Sequence, residues 1–240
     1  VSDALQSLSW DRILVLLVLA AWVGADTTAF LQIMISQPLV AAWLGGLAAG
    51  DGPAGLAVGI LLQGIWARSL PMGGASIPWT GPAALVAGVL ACGRGEHDLT
   101  GSLLQVPDAV TLAVVIGVAL LLGEVGRRLI RRLGHRRHHW VLAAEAAAER
   151  GDPAGIVRIN RLGIVQTAIA SIGLAAAGLV LGRVLLVLLD PIPPLDGRWP
   201  AMLLLGLGIG QTASLVPRRR LGWIWLATVI LAVTALRVVP

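Results

Sequence analysis

Four polar side chains stand out because each interrupts long apolar sequence: Asp26, Gln32, Asp51 and Gln63. Placing an aspartate at the centre of a membrane helix costs about 2.5–3.5 kcal/mol, so such a residue faces a partner, a cavity or the interface. Asp26 and Asp51 can thus belong to a polar binding site. They can equally mark helix ends, with Asp51 capping a half-helix opened by Pro53. The two roles are compatible, since a helix start aimed at a cavity is itself a polar element. Gln32 and Gln63 offer neutral donors and acceptors of the kind that grip sugar hydroxyls. Their alternative use is an interhelical hydrogen bond, worth about 0.6 kcal/mol in membrane proteins. Trp79 follows Pro78 in Ser76-Ile77-Pro78-Trp79-Thr80-Gly81-Pro82. It offers an aromatic platform for a sugar ring, although most of the nine tryptophans sit near segment ends, where interfacial belts place them. His135, His138 and His139 stand among arginines without cysteine or carboxylate company, which describes a solvated basic linker and not a metal centre. The single cysteine, Cys92, excludes an internal disulfide and a cysteine metal cluster. No nucleophile, phosphate-binding glycine loop or zinc motif is recognisable, so neither an enzyme nor a metal or cofactor is expected.

The elements that must hold these residues are membrane helices. Hydrophobic residues make up 57% of the chain and charged residues 13%, against roughly 25% charged in a soluble domain. Mean hydropathy is +0.84. The basic residues are all arginine, and they lie between long apolar runs. Membrane orientation therefore explains the pI near 11.3, and no nucleic-acid partner is expected. Ile13 to Ala25 lacks a basic leading region and is read as a first membrane helix. Between Gln37 and Pro82 the apolar sequence is cut by Pro38, Gly45-Gly46, Gly50-Asp51-Gly52-Pro53, Pro71, Gly73-Gly74, Pro78 and Gly81-Pro82. Non-helical backbone at membrane depth is tolerated only when buried in protein or lining a wet cavity. The expected fold is an all-α membrane protein, a multi-pass helical bundle whose broken or re-entrant half-helices surround a polar site.

Three regions follow: an N-terminal membrane half with the broken-helix module (1–126), a basic helical linker (127–161) and a C-terminal membrane half (162–240). The linker carries Arg127, Arg128, Arg131, Arg132, Arg136 and Arg137, and the positive-inside rule assigns it to the cytoplasm. Gly151-Asp152-Pro153 should stop one helix and start the next. Leu162 to about Leu189 then crosses to the proline-rich loop Asp190 to Gly197, and the return segment brings Arg218-Arg219-Arg220 back to the cytoplasm. An echo links the halves, because Gly59 to Gly64 and Gly206 to Gln211 each carry a glutamine in a glycine-rich apolar run. Paired broken segments of this kind suggest an inverted repeat with a site near the midplane.

The run Asp26-Thr27-Thr28-Ala29-Phe30-Leu31-Gln32-Ile33-Met34-Ile35-Ser36-Gln37-Pro38-Leu39-Val40-Ala41 resembles one in the IIC components of the mannose/fructose/sorbose family of sugar phosphotransferase systems. There an Asp and a Gln precede Ser-Arg-Pro, and Gln37 stands in the arginine's place. Leu47 to Asp51 with Gly55 to Gly59, and Pro71 to Pro78, are similar to further family signatures. Ala143 to Asn160 is similar to its cytoplasmic helix-turn-helix linker. The resemblance implies a permease subunit of a bacterial inner membrane that translocates a hexose-type sugar with a IID-type membrane partner, as an oligomer of IIC–IID pairs. Phosphorylation is implied to occur on a separate cytoplasmic IIB component, recharged by IIA. Carried over residue by residue, the sugar-binding positions are Asp26, Gln32, Asp51, Gln63, Pro78 and its neighbour Trp79. After the proline the family usually has an acidic residue, which Trp79-Thr80 replaces here. The loss of that carboxylate points to a changed substrate, weaker binding or a transport-deficient scaffold or regulatory protein.

Overall fold

Glycine, proline and aspartate decide where the helices begin and end. Residues 10–26, 32–67, 69, 77–92, 106–193 and 195–213 are described by the computed structural model of the chain. Among them are eight α-helices and no strand: α1 (Trp10–Asp26), α2 (Pro38–Ala49), α3 (Gly52–Ile65), α4 (Thr80–Ala91), α5 (Ala109–Arg136), α6 (His138–Glu149), α7 (Pro153–Leu188) and α8 (Arg198–Ala213). The expectations for Thr27 to Leu31, Pro71 to Ser76, Arg218 to Arg220 and Leu221 to Leu236 lie outside the described residues.

Pro38 occupies the start of α2, where its missing N–H costs nothing, and Gly50 closes that helix in the left-handed conformation at φ 101°. Asp51 caps α3, its Oδ1 accepting from the Ala54 N–H at 3.0 Å. The stop and restart at Gly151-Asp152-Pro153 works the same way, with Asp152 accepting from the Gly155 N–H at 3.0 Å. At 1.5 Å per residue, the 12, 14 and 12 residues of α2, α3 and α4 reach about 18–21 Å, short of a hydrocarbon core of ~30 Å. The glycine- and proline-rich region therefore folds as short helices and not as two straight crossings. α5, with 28 residues, and α7, with 36, are long and apolar enough to cross. Both helices run unbroken through positions 127 and 161, so the basic stretch is carried on the ends of α5 and α7 and on α6.

The centre of the fold is α4, buried from Gly81 to Ala91 and packed against α2, α3, α5 and α7. A helix apolar on every side is stable only when surrounded. Its contact with α2 is a backbone contact: Gly88 lies against the Ala42 carbonyl and Gly45 against the Leu85 carbonyl. Small residues supply the close approach that drives helix association where lipid removes the hydrophobic incentive. The two halves of the sequence echo are spatial neighbours, since α3 and α8 meet where a Cβ on Gly64 would lie 3.0 Å from the Gly208 Cα.

α5 is tied at both ends, at its start to the loop that follows α7 and at its end to α7 itself. At one, the Ala109 N–H donates to the Leu195 carbonyl at 2.9 Å. At the other, Arg137 donates to Gln166 Oε1 at 2.6 Å and to Thr167 Oγ1 at 2.8 Å, and partial burial pulls its guanidinium below its ordinary pKa. Outward-facing side chains such as Val18, Val180 and Leu203 are 63%, 66% and 75% exposed, an apolar surface that hydrocarbon accepts and water does not.

Candidate functional site

Asp26 ends α1 at 2% exposure, where an unpartnered carboxylate would be costly. Its Oδ1 accepts from the Ile33 N–H at 2.7 Å. Its Oδ2 accepts from the Ser36 N–H at 3.1 Å and from Ser36 Oγ at 2.8 Å. The carboxylate thus pins the loop leading into α2. In that loop Gln32 and Met34 hold left-handed backbone, at φ 50° and 68°, which side chains other than glycine adopt only when the surroundings over-determine it. Three donors on one buried carboxylate supply that constraint.

The loop presents Gln32, Ser36 and Gln37 to a cavity of about 590 Å³. Gln63, near the end of α3, enters from another side. Its Oε1 accepts from the Leu39 N–H and its Nε2 donates to Gln37 Oε1, both at 3.3 Å. The first bond serves an N–H that the opening turn of α2 cannot satisfy within the helix. Both are longer than an ordinary N–H···O bond, so a ligand hydroxyl can replace them at small cost. Gln32, Gln37 and Gln63 thereby bring three amides from two interrupted segments to one space.

Pro78 and Trp79 form a further wall. The Trp79 N–H donates to the Gly123 carbonyl at 3.0 Å, fixing the approach to α4 against α5. Trp79 is 4% exposed, not placed in an exposed interfacial belt as the other tryptophans suggested. Gly24 and Gly126 open the slot: a Cβ on either would lie 3.2 Å and 2.7 Å from Trp79 side-chain atoms.

Asp51 is not brought to this cavity. It sits twelve residues from Gln63 along α3, about 18 Å away, capping its own helix beside Gly46 and Cys92. A single sugar cannot bridge that distance. Five of the six sequence candidates, Asp26, Gln32, Gln63, Pro78 and Trp79, line one space, and Asp51 does not.

Sequence reasoning passed over the fourth wall. Arg127, Ile130 and Arg131 of α5 line the cavity, although these arginines read as part of the basic linker. Arg127 Nε donates to Glu124 Oε2 at 2.7 Å, and Arg128 Nε to Glu124 Oε1 at 3.1 Å. The available signal was helical spacing: Gly123, Arg127 and Arg131 recur every four residues on one face, which Gly123 turns toward Pro78. Among the described residues, no three His, Cys, Asp or Glu side chains converge as metal ligands.

A buried small-residue core with short helices around an amide-lined cavity fits a helical membrane protein. A family model described as the PTS system sorbose-specific IIC component matches residues 10–195. The chain belongs to this family, whose members are the membrane permease components of sugar phosphotransferase systems. Among solved structures, one titled "Structure of membrane protein" is similar with a TM-score of 0.61 and 19% identity, covering 96% of this chain and 92% of its own. That likeness supports the fold. No curated protein matches the chain.

Proposed function

We propose that this IIC component translocates a hexose-type sugar across a bacterial inner membrane, working as a multi-pass subunit with a IID-type membrane partner in an oligomer of such pairs. Phosphoryl transfer falls to a cytoplasmic IIB component, recharged by IIA, and not to this chain. The observation that carries the reading is the convergence of Gln32, Gln37 and Gln63 on a cavity of about 590 Å³, within the roughly 300–1,000 Å³ of small-molecule sites. In this reading α2, α3 and α4 enter the bilayer without crossing it, and Gln32 and Gln63 bind sugar hydroxyls beside the Trp79 and Pro78 wall. Asp26 acts by positioning the loop, and Asp51 by capping α3.

The test is uptake of labelled hexoses by cells carrying the whole system, with co-purification of the IID-type subunit. Gln63→Ala combined with Gln32→Ala should lower uptake at least ~tenfold, the worth of one well-made polar contact. Undiminished uptake, or a chain that purifies without a membrane partner, would sink the reading. A second reading, a transport-deficient scaffold, is favoured by the commitment of Asp26 to Ile33 and Ser36 and by Trp79 in the usual position of an acid. Sugar-dependent thermal stabilisation of the purified complex would decide against it.

A further inference from the structure

The opening turn of α2 fixes the direction of one amide in the cavity, and through it the direction of a second. Pro38 has no N–H, so Leu39 carries the first donor of the helix. Gln37 stands at the N-cap, but its side chain makes no capping bond. Gln63 of α3 takes that role, accepting from the Leu39 N–H. A backbone N–H only donates, so the Gln63 atom that faces it has to be Oε1. Nε2 then points at Gln37 and also only donates, so the Gln37 atom that it meets has to be Oε1. The donor and acceptor ends of the pair are therefore set by the helix start and not by the choice between two look-alike amide orientations.

The two bonds differ in what they serve. The one to Leu39 answers an N–H that the helix cannot satisfy. The one between the glutamines joins two side chains that line the cavity, and Gln37 is exposed there. We propose that one sugar hydroxyl inserts between the glutamines, accepting from Gln63 Nε2 and donating to Gln37 Oε1, while Gln63 keeps its bond to Leu39. This deepens the sugar-permease reading and rests on it. An oxygen with ordinary bonds to both atoms holds them roughly 4.5 Å apart. The present separation of 3.3 Å reaches that value when the exposed Gln37 side chain withdraws by about 1 Å. Gln37 thereby determines specificity: the pair accommodates a group that donates and accepts at the same atom. A fluorine or an ether oxygen only accepts, an ammonium only donates and a methylene does neither, so each leaves an amide atom unanswered.

The experiment measures binding to the detergent-purified complex with its membrane partner. The probes are glucose, mannose, galactose and sorbose, followed by the monodeoxy and monofluoro analogues of whichever binds best, one ring position at a time. At one position both analogues should bind about tenfold or more weakly than the parent sugar. Gln37→Met, similar in length but without the amide, should bring the ratio of parent to fluoro analogue at that position toward one, because the hydroxyl has lost its acceptor. Gln37→Glu keeps the acceptor and loses the amide donor, and should retain the ratio. A residue that only placed the loop would weaken parent and analogue alike and leave the ratio unmoved. Fluoro analogues that bind as well as the parent at every position, a ratio that Gln37→Met leaves unchanged throughout, or one that Gln37→Glu abolishes, each overturns the proposal and leaves the sugar reading standing. No binding by any of the four hexoses overturns both.

Discussion

The two ends of α3 begin from similar sequence and reach opposite states. Each is a glycine-rich break in apolar chain with one polar side chain, Asp51 at the start and Gln63 near the end. At the start, Gly46 and Gly55 bring α2 and α3 together so closely that a Cβ on Gly46 would lie 2.5 Å from the Asp51 carbonyl oxygen. The space is filled, and Asp51 serves its own helix through Ala54. At the other end Gly59 still lies against the Leu39 backbone, but α2 begins only at Pro38, and one turn further on Gln63 reaches Leu39 and Gln37 through two bonds of 3.3 Å beside the cavity. The polar residue at one break caps its own helix, and the one at the other faces the cavity, where the proposed function makes it a ligand group. Breaker density alone does not tell the two apart.

Asp26→Ala should have the largest effect, because it leaves two backbone N–H groups and one hydroxyl without their acceptor. About 3 kcal/mol or more of stability should be lost, with sugar binding, since Gln32 and Gln37 lose their placement. Thermal unfolding of the purified complex checks this. A variant that keeps its midpoint while losing sugar would make Asp26 a direct ligand, and the open end would then extend into α1.

Gly46→Ala should come next, at about 1–3 kcal/mol, because the added methyl meets backbone and not a flexible side chain. Sugar affinity should be unchanged in whatever fraction folds, measured by titration against active protein. A change in affinity would mean that the closed end communicates with the cavity.

Gln63→Ala, taken singly, sharpens the contrast from the other side. The dissociation constant should rise about tenfold while stability falls by no more than ~1 kcal/mol, because its bonds are long and Leu39 is only partly buried. Asp51→Ala should give the smallest effect and the reverse pattern: about 1 kcal/mol of stability, recovered by Asp51→Ser, with affinity unaltered. If Asp51→Ala weakened binding as much as Gln63→Ala, the two ends would not be functionally distinct.

Local features explain what was legible beforehand. Hydropathy, the starts at Pro38, Asp51 and Asp152, and the division of 37–82 into short pieces each depend on residues near one another in sequence. The family motif, carried by Asp26 to Ala41 and its neighbours, is equally local. The Arg127 and Arg131 wall was hidden because hydropathy assigns arginines beyond an apolar run to the aqueous side, which accounts for their charge without reference to any neighbour. Trp79 was hidden for a related reason: two glycines on other helices, Gly24 and Gly126, make the slot that buries it.

By itself, then, the sequence determined that the chain is helical and built for lipid, that it breaks between Gln37 and Pro82, and that a handful of polar residues had to be accounted for there. Only the tertiary structure decided which of them meet. Convergence depends on how closely helices approach, and that approach is set by glycines lying against backbone far away in the chain, as at Gly45 with Leu85 and Gly88 with Ala42. A hydrogen-bond donor or charge is a property of one residue, whereas a cavity belongs to all the helices that fail to close around it.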